Sequence, residues 1–557
     1  MTRRTSLLAR RGSALAAIAV SAALVLAGCS GGGGSSSDDG PSLEGHTAGA
    51  MENFTADEQF TATEPVDFSM LWTDWPDTPI TDTWQIFDEI KKRTNVSLDL
   101  TNIPFSDATE KRSLLISAGD APYVIPLTYT GDETQFAASG AVLPMSDYVE
   151  QMPNFQKYVK EWHLEDMMDN LRQADGKYYM LPGLQEVSVP VFTLILRKDV
   201  FDEVGAKIPE TWDELRDGLA KIKAKYPDSH PLADGFEGQS MINYAAHAFG
   251  TVAGWGLGNA TFWNKDEKKF EFAGNDGYKQ MVEYFRGLYD DGLLDGDSFT
   301  ASNDGSGTVT EKFAAGKVFA ASGSAGTVQD FSTALDQTVG KGNYELVQIA
   351  PPGGPAGQVV EPRNFWNGFM LTTDAAKDPH FLAMLQFLDW LYYNPDAREM
   401  LRWGVEGQTY TKDADGKITL KPEFSYDAFG INPDGKTDIL KDLGFGTNVL
   451  ADATESRALK ESYNSHQLVD YIDAVSSTRT PRAPFPAAPL NESELEQSAL
   501  MATPIKDTLN TNTLKFILGQ RPLSEWSTFL GEVEGQNLSG YLGLINGAQK
   551  RFAEKNG

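Results

Sequence analysis

Between Val66 and Leu127 the chain alternates short apolar runs with amphipathic ones, and this alternation restricts the possible fold more than any other feature. Val66 to Trp72 reads as a strand and Thr81 to Thr94 as a helix, because Trp84, Phe87 and Ile90 recur at three-residue spacing and make one apolar stripe. Val96 to Leu100 is the next strand, Ser106 to Ala118 a helix that stops at Gly119, and Tyr123 to Leu127 a third strand. That β-α-β-α-β order predicts a parallel sheet covered on both faces. Helical periodicity returns in Glu210 to Tyr226, Asp276 to Asp291 and Asp378 to Tyr393, and in several segments after Ala451. Lys317 to Ser322 and Glu345 to Ala350 have the character of buried strands. Asn264-Lys265-Asp266 and Asp413-Ala414-Asp415-Gly416 read as hairpin turns, and no internal repeat is evident.

Upstream of this region the sequence is of a different kind. Arg3, Arg4, Arg10 and Arg11 precede an apolar run from Ser13 to Ala27, too short to cross a bilayer comfortably, and the run ends in Leu26-Ala27-Gly28-Cys29. This is the layout of a secretory signal, and its ending resembles a bacterial lipobox, which implies cleavage after residue 28 and a lipid on Cys29. Removing residues 1–28 takes away four arginines and no acid, so the formal charge goes from −31 to −35. So acidic a body disfavours nucleic acid and is repelled by an anionic membrane face, which leaves the lipid on Cys29 as the only expected membrane contact. Cys29 is the sole cysteine, so no disulfide is expected and stability has to come from buried apolar surface. Ser30 to Gly40 reads SGGGGSSSDDG, and with the polar stretch through Ala50 it is expected to form a tether reaching roughly 25 Å over about 20 residues.

The search for catalytic chemistry finds mainly absences. No phosphate-binding loop, dinucleotide fingerprint or G-x-S-x-G elbow is present. The six histidines (His46, His163, His230, His247, His380 and His466) have no metal-ligand spacing, and Asp413 and Asp415 lack the further ligands of a calcium loop. With 78 acidic residues some carboxylate pair always falls in a cleft, so a glycosidase pair cannot be nominated from sequence. No catalytic residue, cofactor or metal is predicted.

Three linked segments carry a resemblance. Asp175-Gly176-Lys177-Tyr178-Tyr179-Met180-Leu181-Pro182, then Leu194-Ile195-Leu196-Arg197-Lys198-Asp199-Val200-Phe201, then Pro209-Glu210-Thr211-Trp212-Asp213-Glu214-Leu215 together resemble the core signature of extracellular solute-binding proteins (family 1) of ABC sugar importers. Ser117-Ala118-Gly119-Asp120-Ala121-Pro122, Phe136 to Leu143 and Ala315-Gly316-Lys317-Val318 support it. Gly404-Val405-Glu406-Gly407-Gln408-Thr409-Tyr410, and Phe516-Ile517-Leu518-Gly519 with Trp526, are similar to a large lipoprotein subfamily associated with aldouronate or other oligosaccharide uptake. Two positions depart from the pattern. Tyr226-Pro227-Asp228-Ser229-His230-Pro231 stands where the subfamily often has a calcium loop, which speaks against calcium there, and Tyr123 replaces a common acid, which is expected to alter the cleft wall.

The resemblance implies an α/β, periplasmic-binding-protein-like fold of type II: two discontinuous α/β lobes with a hinge and an interlobe cleft. The expected division is a signal peptide at 1–28, a lipid-anchored flexible tether at 29–59, lobe 1 at 60–190 plus 364–405, and lobe 2 at 191–363 plus 406–557. Val187 to Arg197 and Asn364 to Thr372 are expected to cross between lobes. The implied activity is that of a monomeric, lipid-anchored binding protein on the extracellular face of the cell membrane. It would capture an oligosaccharide by lobe closure and deliver it to the transmembrane subunits of an ABC permease, without turnover. A surface glycoside hydrolase or lyase and a peptide-binding importer lipoprotein are the alternatives.

A sugar cleft needs flat rings with polar groups at their rims. The 11 Trp, 19 Tyr and 30 Phe exceed what packing requires and point to exposed rings. Trp72 and Trp75 flank Asp74 just after the first strand, where doubly wound folds bind ligands. Trp72 either faces the site with Trp75 or closes the strand as core and leaves Trp75 alone exposed. Trp255 is held in a loop by Gly254, Gly256 and Gly258, as a platform or as core. Trp366 lies in the crossing segment, and Trp403 precedes the Gly-Val-Glu-Gly run. Tyr129, Gln185, Arg197 and Glu406 are the polar candidates, Arg197 being also suited to a structural ion pair.

Overall fold

The computed structural model describes residues 42–300 and 307–556. The expected signal, Cys29 and Ser30 to Gly40 lie outside them. Two sheets organise two hydrophobic cores. In the first sheet β1 (Val66–Asp74) pairs in parallel with β2 (Val96–Pro104), from Val66 opposite Val96 to Asp74 opposite Pro104, and on its other side with β3 (Val124–Thr128). The helix Gln85–Thr94 joins β1 to β2, burying Ile86 and Ile90, and Asn95 closes it in the left-handed conformation. The helix Ala108–Ala118 joins β2 to β3 and ends on Gly119, φ 76°.

The all-parallel expectation stops at β3. Phe365–Leu371 pairs antiparallel with β3 and also with β4 (Leu181–Leu184), because it returns from the second lobe and enters the sheet from the opposite end. The second sheet is built on β5 (Thr193–Arg197), antiparallel to both Leu346–Gln348 and Ala320–Gly323, with Leu232–Ala233 parallel to the last. Helices Trp212–Lys225, Gln239–Ala248, Asp276–Asp290, Glu492–Ile517, Trp526–Glu534 and Leu538–Asn556 contribute to the second core. None of the described helices is long and apolar enough to cross a membrane.

The Pro-Glu-Thr-Trp motif is structural. Thr211 caps a helix by accepting from the Glu214 backbone N–H at 3.2 Å, and Trp212 is buried among Tyr244, Tyr284 and Phe285. In the Asp-Gly-Lys turn, Gly176 has φ 92° and the Lys177 N–H donates to the Asp175 carboxylate at 2.9 Å.

Two expected boundaries are corrected. Residues 42–59 are not tether: Leu43, Ala50, Met51 and Phe54 pack against the first core. The Gln386 amide there bonds both the N–H and the carbonyl of Met51, at 2.9 and 3.0 Å. Their apolar residues are too sparse for a helical or strand period, so only the docking surface reveals them. Residues 406–463, expected in lobe 2, also belong to the first core, where Tyr410, Tyr426, Ile439, Phe445 and Ala453 are buried.

The passages between lobes are bonded to one another. The Gln185 N–H donates to the Asn364 carbonyl at 2.8 Å, and the Arg363 N–H to the Ser188 hydroxyl at 2.8 Å. Val359–Val360 pairs in parallel with Thr480–Pro481, which brings a third passage to the same place.

Asp389 shows how the first core is fixed. Buried completely, its carboxylate accepts from the Asn154 and Phe155 backbone N–H groups, both at 2.9 Å, at the start of the helix Pro153–Glu161. Burial pushes its pKa from 3.8 up to about 7 despite those donors. The folded state therefore holds this proton where the unfolded chain has lost it, and the group's contribution falls as pH rises from about 4 to about 7. Urea unfolding of wild type and Asp389→Asn across that range is expected to show the wild-type advantage narrowing with pH, and a constant difference would contradict the assignment.

Candidate functional site

The carboxyl ends of β1, β2 and β3 open into a cavity of about 250 Å³ lined by Thr73, Trp75, Phe105, Arg112, Tyr129 and Asp132. Trp75 stacks on Phe105, centroids 3.9 Å apart, and its indole N–H is buried without a partner. Asp74 is turned to its own loop, accepting from the Ile80 N–H at 2.8 Å. Tyr129 stands edge-on to Trp366 at 5.7 Å, and the Arg363 guanidinium lies 5.0 Å from the Trp366 ring centre. Burial raises the Tyr129 pKa, opposed by its bond to Asn367.

The other lobe presents Trp255, 49% exposed, edge-on to Phe192 and Phe236 at 5.0 and 5.1 Å. The glycines around it let the loop press on the helix Gln239–Ala248. A Cβ on Gly254 would sit 2.1 Å from the Gln239 carbonyl, and one on Gly256 2.2 Å from the Asn243 amide oxygen. With the backbone held so close, the indole is turned outward.

Two cavities have walls from both lobes. One, of about 370 Å³, lies between Gln185, Trp366, Asp452 and Lys460 on one side and Val191, Ser324 and Gly326 on the other. The second, of about 420 Å³, lies between Thr130, Glu133 and Gln173 and the facing Gly256, Asn259, Arg482 and Phe485. Glu133 is almost fully buried there, and burial raises its pKa to about 6. Behind them His247 is buried near Arg363 and Arg482, and burial with those two charges lowers its pKa to about 3, which keeps it neutral.

The sequence candidates divide clearly. Trp75, Tyr129 and Trp366 line the cavities, Trp255 stands exposed next to Gly256, which lines another, and Gln185 is a buried part of one wall. Trp72 is 1% exposed and packs on Trp84 and Phe87, because it lies within β1 on the core face. Trp403 is equally buried and donates its indole N–H to the Ser462 hydroxyl at 2.9 Å. Arg197 is buried in a two-bond pair with Asp199, at 2.9 and 2.6 Å, away from the cleft cavities. Glu406 is exposed in the turn leading to Tyr410, outside all three cavities. Tyr123 precedes β3, at the end of the sheet opposite the cleft, so it does not alter the cleft wall.

Sequence reasoning missed Phe105, Arg363, Asp452 and Lys460. Phe105 follows a strand end just as Trp75 does, and that position was the available signal. Asp452 and Lys460 reach the cleft only through long-range packing. Another cavity, of about 710 Å³, lies within lobe 2 around Asp228, Asp290, Asp295 and Asp297, with Lys312 paired to Asp295 at 2.6 Å. Among the described residues, no group of three or more His, Cys, Asp or Glu side chains is arranged to hold a metal.

Known proteins are similar to this chain in sequence and in fold. The chain is 25% identical over 501 residues to the fructooligosaccharide ABC transporter substrate-binding protein FusA of Streptococcus pneumoniae, covering 82% of this chain and 85% of that one. It is 25% identical over 340 residues to the polygalacturonan/rhamnogalacturonan-binding protein YtcQ of Bacillus subtilis, covering 60% and 65%. The crystal structure of the alginate-binding protein AlgQ2 without calcium ion superposes with a TM-score of 0.64 at 17% identity, over 88% of this chain and 99% of that one. That likeness shows the fold, periplasmic-binding-protein-like of type II. Residues 85–415 match the sequence profile described as bacterial extracellular solute-binding protein, and with more than half of the chain covered, the protein belongs to that family.

Proposed function

We propose that this chain is the binding component of an ABC importer, capturing an oligosaccharide between its lobes and handing it unaltered to a permease. The observation that carries this reading is that rings are exposed on each lobe beside cavities walled by both, Phe105 and Tyr129 on lobe 1 and Trp255, next to Gly256, on lobe 2. Rings pack on the apolar faces of sugars, and Asp452 and Arg363 supply rim groups for hydroxyls. FusA and YtcQ, whose names specify saccharides, support it. A ligand touching both lobes favours the closed form by its differential contacts, and closure is what the permease reads. The protein acts as a monomer, without catalysis, held at the extracellular face of the membrane by lipid on Cys29.

The test uses the chain lacking residues 1–28 with Cys29→Ser, titrated by tryptophan fluorescence against oligosaccharides and short peptides, with bound ligand recovered for mass spectrometry. Intact oligosaccharide in the bound fraction is expected. Shortened product, or peptides bound in preference, would sink the proposal. In cells, Cys29→Ser is expected to move the protein from the membrane fraction to the medium.

A further inference from the structure

The cavity of about 370 Å³ differs in character from the rest of the cleft. Val189, Val191, Ala325, Leu468, Tyr471 and Ile472 make its wall mainly hydrocarbon. Most of the polar groups that reach it are engaged within the protein, Arg363 and Asp452 at its rim being the exceptions. The Gln185 amide donates to the Ala453 carbonyl at 2.6 Å and accepts from Lys460 at 2.8 Å. The Tyr471 hydroxyl donates to the Pro190 carbonyl at 2.7 Å, and the Tyr463 hydroxyl to Glu455. The Ser324 hydroxyl is held in a helix capping box, and the Asn464 amide donates to the Lys460 carbonyl at 2.7 Å. A sugar hydroxyl pushed against the hydrocarbon wall gives up water for no partner there, whereas a methyl group gains by leaving water. At the open end are Trp366, half-buried under Arg363, and Asp452, 34% exposed and braced by Arg402 at 2.7 Å. These are a platform and rim suited to the sugar ring itself.

We propose that this cavity is a subsite for a methyl group carried by the sugar, the acetyl of an N-acetylhexosamine or the C6 methyl of a 6-deoxyhexose. The inference rests on the oligosaccharide reading above and narrows its ligand class.

Two matched pairs test it by calorimetry on the whole mature chain: chitotriose against cellotriose, and 2′-fucosyllactose against the same trisaccharide with L-galactose replacing L-fucose. At least one methyl-bearing member is expected to bind roughly tenfold tighter than its hydroxyl-bearing partner, and the pair that responds tells acetyl from deoxy-sugar. Ala325→Leu, which fills the cavity from a partly exposed position, is expected to erase that ratio. Val191→Ser, at a residue 37% exposed, is expected to reduce it with the thermal midpoint unchanged, so the conclusion does not hang on one variant's folding. Equal or tighter binding of the hydroxyl-bearing members, a ratio that survives both variants, or no binding by either pair overturns the proposal. If hydroxyl-bearing sugars bind with no gain from the methyl, the oligosaccharide reading stands and this inference alone falls. If only peptides bind, both fall.

Discussion

Replacing Arg402 by methionine is expected to lower the free energy of unfolding by roughly 3–5 kcal/mol, a large fraction of the total for an ordinary domain. Its side chain is 1% exposed and ties three segments together. It donates to Asp452 at 2.7 Å, to Glu455 at 3.0 Å and to the Ala451 carbonyl at 3.0 Å, and lies 4.2 Å from the Tyr463 ring centre. Burial alone lowers an arginine's pKa, but Tyr463, Tyr426, Asp452 and Glu455 outweigh it and keep Arg402 charged. Burial likewise pushes Glu455 up, yet Lys460, Arg402 and Tyr463 together hold it below the usual range. Methionine fills the space but leaves Glu455 buried with fewer compensating charges. Adding Glu455→Gln to Arg402→Met is therefore expected to recover part of the loss in urea unfolding. Equal stability of wild type and single variant would show that the network contributes nothing.

Trp255→Ala is expected to weaken oligosaccharide binding by at least ~2 kcal/mol, or roughly thirtyfold. Its unfolding midpoint is expected to move little, because a half-exposed ring on a surface loop contributes little to the core. Trp72→Ala should do the reverse, costing ~3–5 kcal/mol of stability through the cavity it leaves. Measuring both quantities on both variants separates platform from packing. A Trp255 variant that binds normally would remove the platform from the site.

The contrast between those tryptophans shows what the sequence made legible. The alternation from Val66 to Leu127 specified three parallel strands and two helices because each element carries its own period. A period reports which residues share a face, not which face meets solvent. Trp72 and Trp75 are three positions apart and lie on opposite sides of that question; only the packing of Trp84 and Phe87 on Trp72 decides it. Matched motifs misled in a similar way. Arg197 lies within a matched motif and Trp403 directly before another, yet both hold the scaffold, and scaffold residues carry a resemblance as readily as site residues. Asp452 and Lys460 were illegible for another reason: nothing local distinguishes them from other charged residues, and they become part of the cleft only when Arg398 and Arg402 fix the chain from Leu450 to Glu455.

Each core is stitched from pieces far apart in the chain, and this sets an order of assembly. The first core takes residues from Leu43 to Leu184 and again from Phe365 to Tyr463, while the second spans Leu194 to Ile349 and then Ala502 to Ile545. A polypeptide that emerges amino end first therefore presents an unfinished first sheet while the whole intervening segment is delivered. Neither half can close until its late pieces arrive. Such long-range closure is intrinsically slow and leaves sticky surface uncovered in the meantime, so a chain stopped near residue 480 should keep its first core and lose the second.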